Sequence, residues 1–194
     1  YELYVIAPDD ETLAVAKTYQ KINKNIKFLK DPGKGKSYAL NKFLPLMKGR
    51  IIILSDGDVF VSQNSLKQLS KFFEDDNVGC VTGRRVSIYS RKNIFGYWSH
   101  LLCDAAHYLR SKRATKHQFL ECSGYLWAFR NNVIKKFPID LAEDAVVPLL
   151  FREKKYKIAY SPSSLVYVKF PNNLHEFIEQ KKRTAKGHES LSKY

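Results

Sequence analysis

Apolar and polar positions change period repeatedly along this chain, and the changes outline alternating strands and helices. Glu2–Ala7 and Ile26–Leu29 are short apolar runs of strand length. Between them Pro8-Asp9-Asp10 offers a turn and a helix N-cap, and Leu13, Val15, Ala16 and Tyr19 recur at helical spacing over Glu11–Lys21. Asp31–Gly35 is a loop by its Pro and Gly content. Ala39, Leu40, Phe43, Leu44 and Met47 then mark a helix over Lys36–Met47. Ile51–Ser55 is a continuous β-branched run, the pattern of a strand covered on both faces. This βαβαβ opening predicts an α/β fold with a mostly parallel central sheet covered by helices. Beyond it the pattern predicts a helix near 63–73, a strand Gly79–Thr82, a long aromatic helix Ile94–Arg110 and a strand Tyr125–Phe129. A helix Glu143–Arg152, short strands Ile158–Tyr160 and Leu165–Val168, and a basic helix Leu174–Lys186 complete the order. Repeats and linker-like composition are absent, so residues 1–194 are expected to form a single domain.

Composition narrows the class. Hydrophobic residues make up 44%, with 12 Tyr and 12 Phe, which suits a chain with a packed core. No apolar run approaches the roughly 18 residues of a membrane-spanning helix. The net charge of +14 favours polyanions: nucleic acid, acidic membrane surfaces or phosphorylated substrates. The basic residues are dispersed, as solvated lysines usually are, and neither an RNP-like nor a helix-turn-helix signature is present, so a nucleic-acid-binding domain is the lesser reading. Cys80, Cys103 and Cys122 have neither CxxC spacing nor an even count, as expected of buried, reduced thiols in a cytosolic chain.

Four clusters could carry chemistry. Asp56-Gly57-Asp58 follows the apolar strand 51–55, where open α/β sheets place ligands; its two carboxylates suit Mg²⁺ or Mn²⁺, although the same triplet is also ordinary turn chemistry. Gly33-Lys34-Gly35-Lys36-Ser37 precedes a helix but lacks the glycine a P-loop needs at position 30. Backbone N–H groups at a helix start, with Lys34 and Lys36 beside them, still suit a nucleoside diphosphate. Glu143-Asp144 sits at a helix start, where acids serve the helix dipole or, functionally, a general base. Gln180-Lys181-Lys182-Arg183 is either a solvated basic face or a place where Arg183 offsets charge on a departing diphosphate.

Taken in order, these pieces resemble family 2 glycosyltransferases over roughly residues 2–187. The nucleotide-sugar half, residues 1–83, carries the Gly-Lys loop, Tyr38-Ala39-Leu40-Asn41, Asp56-Gly57-Asp58 and Val81-Thr82-Gly83. The acceptor half, residues 84–194, carries Ser123-Gly124-Tyr125-Leu126-Trp127-Ala128-Phe129-Arg130, Ala142-Glu143-Asp144, Tyr160-Ser161-Pro162 and Gln180-x-x-Arg183. The resemblance implies a GT-A nucleotide-diphospho-sugar transferase fold and inverting, Mn²⁺- or Mg²⁺-dependent transfer from a nucleoside-diphosphate sugar to a saccharide or lipid-linked acceptor. Asp56 and Asp58 match the family's DxD metal motif. Lys34, Lys36, Asn41, Asp56, Asp58 and Arg130 fall in the donor-binding motifs. Asp144 matches the catalytic base, with Glu143 beside it, and Gln180 and Arg183 match Gln-x-x-Arg-Trp, where Thr184 replaces the tryptophan. A non-catalytic glycosyltransferase-like binding domain is the alternative within the same fold. Relatives with the Gln-x-x-Arg element often carry membrane helices, so a place at the cytoplasmic face of a membrane is expected, with the basic C-terminal helix facing it. The family's first strand has no counterpart before Tyr1. Closing the slot it would leave requires Glu2–Ala7 to pair directly, and in parallel, with Ile51–Leu54.

Overall fold

The computed structural model describes the backbone of residues 1–139 and 141–192, with side chains for all of these except 183 and 186–192. The chain divides into two compact units: residues 1–50 with 135–139, and residues 51–134 with those from 140 onward. The division falls before Ile51 because the strands on either side of residue 50 belong to different sheets.

The smaller unit is built on a βαβ motif. Strand β1 (Leu3–Ala7) lies parallel to β2 (Ile26–Lys30), with Leu3 opposite Ile26 and Ala7 opposite Lys30. Helix α1 (Asp10–Ile22) joins them. It starts where the Asp9 carboxylate accepts the Thr12 N–H at 2.7 Å, and it buries Leu13 and Ala16. Gly33 and Gly35 take positive φ values of 72° and 100°, which lead the chain into α2 (Lys36–Phe43). That helix stops short of the expected Met47, since Pro45 has no N–H to extend the ladder and a 3₁₀ turn, Leu44–Leu46, follows. Asn41 ties residues 135–139 to this unit. Its amide donates to the Phe137 carbonyl at 2.8 Å and its carbonyl accepts the Phe137 N–H at 2.6 Å.

The larger unit holds a five-stranded sheet in the order β3 (Ile51–Ser55), β6 (Leu126–Arg130), β5 (Val78–Ser87), β7 (Lys157–Val168), β4 (Phe60–Val61). Strands β3, β5 and β7 share one direction, while β6 and β4 oppose it, so the sheet is mixed. Helices α3 (Ser65–Lys71), α4 (Ile94–Thr115), α5 (Glu143–Glu153) and α6 (Leu174–Ser192) complete the unit. Its core gathers Val81, Leu126, Ala128, Val166 and Val168 from the sheet with Leu69 of α3 and Cys103 of α4.

Two strand expectations are corrected. Glu2–Ala7 does not pair with Ile51–Leu54: β1 pairs with β2, and β3 pairs antiparallel with β6. Antiparallel pairing satisfies the backbone of β3 as well as the expected parallel partner could. The two short strands near the C-terminus are one strand, β7, interrupted by a bulge. Gly83 faces Ser161 while its neighbour Arg84 faces Leu165, so Pro162, Ser163 and Ser164 loop out. The Ser161 and Ser164 hydroxyls lie 2.7 Å apart, and Ser164 also donates to the Ser65 carbonyl at 3.0 Å, which holds the bulge against α3. A Cβ at position 83 would sit 2.8 Å from the Ser164 carbonyl oxygen, so the bulge needs glycine opposite it.

Candidate active site

The antiparallel β3–β6 ladder brings the site together. Ser55 pairs with Leu126, so Asp56 leaves the end of β3 where residues 123–125 enter β6. The Ser55 hydroxyl donates to the Tyr125 carbonyl at 3.1 Å and closes this end of the ladder. Thr82 of β5, fully buried, accepts the Ser123 N–H on its hydroxyl at 2.9 Å. A third tie comes from α5. Pro148 lies inside that helix and has no N–H to offer the Asp144 carbonyl four residues back. The Cys122 N–H donates to that carbonyl instead, at 3.0 Å.

These ties place Gly124 between two carboxylates. A Cβ built on Gly124 would lie 3.1 Å from Asp144 Oδ2 and 3.9 Å from Asp56 Oδ2. Asp56 and Asp144, 88 positions apart in the sequence, therefore converge on one point, and both line a cavity of about 500 Å³. Arg85, Arg110, Tyr125, Gln180, Lys181 and Thr184 share its wall. Asp58 is exposed in the turn after β3. Burial raises the Tyr125 phenol above its usual range, Arg85 opposes that, and Asp56 and Asp58 both add to it, so both carboxylates act on this ring.

The positive side of the cavity is equally specific. The Arg85 guanidinium lies 6.0 Å from the Tyr125 ring centre, and its Nε is buried with no hydrogen-bond partner among the described residues. Burial first and the charge of Arg85 second pull Arg110 below the usual guanidinium range, with Asp144 among the groups acting the other way. Two arginines and two aspartates thus face one partly enclosed space.

The other expected residues fall in different places. Glu143 is buried in the first turn of α5 and does not line the cavity. Gln180 lines it from α6; the side chain of Arg183 lies outside the described residues. Lys34 and Lys36 are exposed at the start of α2 in the smaller unit, with the Lys34 ammonium 5.5 Å from the Tyr38 ring centre. Asn41 belongs to the same unit, where Phe137 engages both ends of its amide. Arg130 requires a correction as a donor-binding residue. It stands opposite Ile51, at the far end of the ladder from Asp56, and its guanidinium donates to the Val78, Phe73 and Asp75 carbonyls at 2.7, 2.9 and 2.8 Å. Arg130 therefore fastens the turn before β5 and does not reach the acids.

Whether the acids fit a divalent cation depends on the donor set. Among the described residues no group of three or more His, Cys, Asp and Glu side chains is arranged to hold a metal ion. Asp56 and Asp58 remain a pair of hard oxygen ligands. Such a pair fits a cation that keeps its other positions for substrate phosphates and water, and not one caged by protein alone.

Arg85, Arg110 and Tyr125 were not among the expected site residues. Arg85 had one visible signal, the Arg84-Arg85 pair set within the otherwise uncharged run Val81–Ser87; Arg110 had none, as one more base near a basic helix end.

The family model described as glycosyltransferase-like family 2 matches residues 1–187. The chain belongs to this family. Among solved structures, a mannosyltransferase from Pyrobaculum calidifontis in complex with GDP-mannose and Mn²⁺ superposes with a TM-score of 0.66 at 17% identity, covering 94% of this chain and 55% of that one. GalNAc-T7 with UDP, GalNAc and Mn²⁺ superposes with a TM-score of 0.61 at 18% identity, over 87% of this chain and 38% of that one. The fold of this family member is therefore the GT-A fold. Beta-monoglucosyldiacylglycerol synthases from Trichormus variabilis and a Nostoc species are 32% identical over 101 residues, which is 49% of this chain and 21% of each relative. The match thus spans about a fifth of the length of these curated relatives.

Proposed function

We propose that this chain is the catalytic core of a glycosyltransferase that moves a sugar from a nucleoside-diphosphate donor to an acceptor hydroxyl by one inverting displacement. The observation that carries the reading is the convergence of Asp56 and Asp144 on Gly124 within a single cavity. Asp144 accepts the proton of the acceptor hydroxyl as that oxygen attacks the anomeric carbon. The donor diphosphate lies on the Asp56 and Asp58 side, so the attacking oxygen and the leaving oxygen take opposite faces of the sugar. Mn²⁺ or Mg²⁺ held by Asp56 and Asp58, when bound, neutralises charge on the diphosphate. Arg85 and Arg110 add fixed positive charge where negative charge develops, and such preorganised groups act strongly because little solvent must rearrange. By their motif, Arg183 is assigned to the charge on the departing diphosphate with Gln180 beside it, and Glu143 to support of Asp144.

Relatives that build glucosyldiacylglycerol support a lipid or lipid-linked acceptor, with a saccharide as the other member of the class. Such an acceptor, together with the charge of +14, supports a place at the cytoplasmic face of a membrane. A binding domain without catalysis would have no need for a carboxylate at 144 beside the one at 56.

A thermal-shift panel of nucleoside diphosphates and nucleotide sugars, with and without Mn²⁺, tests the reading. Ligands that bind the native state raise its melting temperature. A shift that requires both Mn²⁺ and a diphosphate is expected. No shift with any nucleotide in the panel would refute the donor assignment.

A further inference from the structure

Helix α4 carries its apolar residues on the outside. From Ile94 to Leu109 every exposed position is apolar or aromatic: Ile94, Tyr97, Trp98, Leu101, Ala105, Tyr108 and Leu109. The large ones are each between 43% and 66% exposed. At about 100° per residue they fall in one stripe roughly 120° wide, and at about 1.5 Å per residue the stripe runs about 22 Å. The buried positions of the helix are instead small: Gly96, Ser99 and Cys103. A surface helix of a soluble protein normally shows the reverse arrangement.

Charge frames the stripe with one sign. Lys92 is exposed just before the helix, and Lys112, Arg113 and Lys116 are exposed at its end. The helix contains one acid, Asp104, which is held by Arg91 at 2.8 Å and faced by Arg84 at 3.8 Å. A lipid surface with anionic headgroups is complementary to this pattern. Tyr and Trp settle at the headgroup boundary, the aliphatic side chains enter the acyl region, and the lysines and arginine meet the phosphates. A protein partner for the stripe would need no such uniform basic rim.

We propose that the exposed face of α4 is a membrane-docking surface that lies in the plane of an anionic bilayer. This assignment is independent of the transfer chemistry. It places the surface on α4, whereas a membrane face was expected on the basic C-terminal helix. Each exposed basic residue near such a surface contributes roughly a fivefold change in partitioning.

The test is vesicle flotation of the 194-residue chain with phosphatidylcholine alone and with phosphatidylcholine plus phosphatidylglycerol. Flotation with the anionic vesicles only, weakened by salt, is expected. The combined variant Tyr97→Ser, Trp98→Ser, Leu101→Ser should lose flotation while keeping its melting temperature, because these side chains are already outside the core. Lys112→Glu with Arg113→Glu should weaken binding by more than tenfold. The unmutated chain gives a second reading: of its two tryptophans, Trp127 is fully buried, so quenching by brominated lipid reports Trp98. No flotation of the unmutated chain, flotation unchanged in the serine variant, or Trp98 unquenched on floating vesicles would each overturn the proposal. So would self-association through the stripe without lipid binding, which would make the face a contact between copies.

Discussion

Replacing Gly124 with alanine should separate catalysis from folding in this protein. The added methyl group would sit 3.1 Å from Asp144 Oδ2 and 3.9 Å from Asp56 Oδ2, its three nearest atoms all belonging to these two carboxyl groups. The closer contact is a few tenths of an ångström too short, and the group that must give way is the proposed base. Gly124 is not among the residues with positive φ, so alanine fits its backbone. Alanine also narrows the unfolded ensemble, a stabilisation of about 0.4–1 kcal/mol where the backbone permits it. The melting temperature should therefore hold or rise slightly. Catalysis should move the other way. A misplacement of about 1 Å costs on the order of 100-fold, so a few tenths costs about threefold to fivefold, and a methyl group standing in the path of the substrate brings the total to roughly 10–50-fold. The assay is release of nucleoside diphosphate from the donor selected by the thermal-shift panel, alongside a melting curve. Turnover within twofold of the parent would refute the idea that Asp56 and Asp144 serve one reacting centre. A fall in melting temperature would show instead that the carboxylates cannot yield and that the loss is one of folding.

Asp144→Asn should lower transfer by roughly 10²–10⁴-fold, since an amide cannot take the proton, while calorimetric affinity for the donor stays near that of the parent. Asp58→Asn should do the opposite, weakening Mn²⁺-dependent binding of a nucleoside diphosphate by about tenfold or more, because the cation loses one of two anionic ligands; unchanged affinity in calorimetry would end the metal assignment. Gly83→Ala should destabilise the fold by about 1–3 kcal/mol, because its methyl group meets the Ser164 carbonyl at 2.8 Å and the bulge of β7 must shift. Denaturant unfolding measures that loss, and a stability equal to the parent's would show that the bulge is soft.

Much of the fold is legible in the chain because its elements announce themselves locally. The cap at Asp9, the glycines at 33 and 35 and the β-branched run 51–55 each specify a backbone state without reference to anything distant. Strand direction is different. Nothing in Leu126–Arg130 distinguishes a strand running against its neighbours from one running with them, so the insertion of β6 between β3 and β5 was not foreseen, and neither was the separate pairing of β1. Pro162 made one long strand look like two, since a bulge and a strand end have the same local composition.

The site followed the same rule. Asp56 and Asp144 were legible as acids at the ends of elements, but their meeting at Gly124 depends on a ladder register that only the folded chain supplies. Arg130 misled because it ends a strand in the right motif but at the wrong end of the ladder. Helix α4 was visible as a helix, yet its periodicity could not say which face was turned outward. Small residues are what allow it to lie close to its own unit, and they carry little hydrophobic signal.

The proline within α5 has a consequence for which substitutions this chain can accept. The link from residue 122 to the carbonyl of Asp144 runs between two main-chain groups, so it asks nothing of the side chain at 122 beyond fitting its buried surroundings. Alanine there would keep the link. The requirement falls on position 148, four residues after the acid, because a residue with an N–H there would compete for the same oxygen. The position of the proposed base is thus guarded by a residue with no functional group at all.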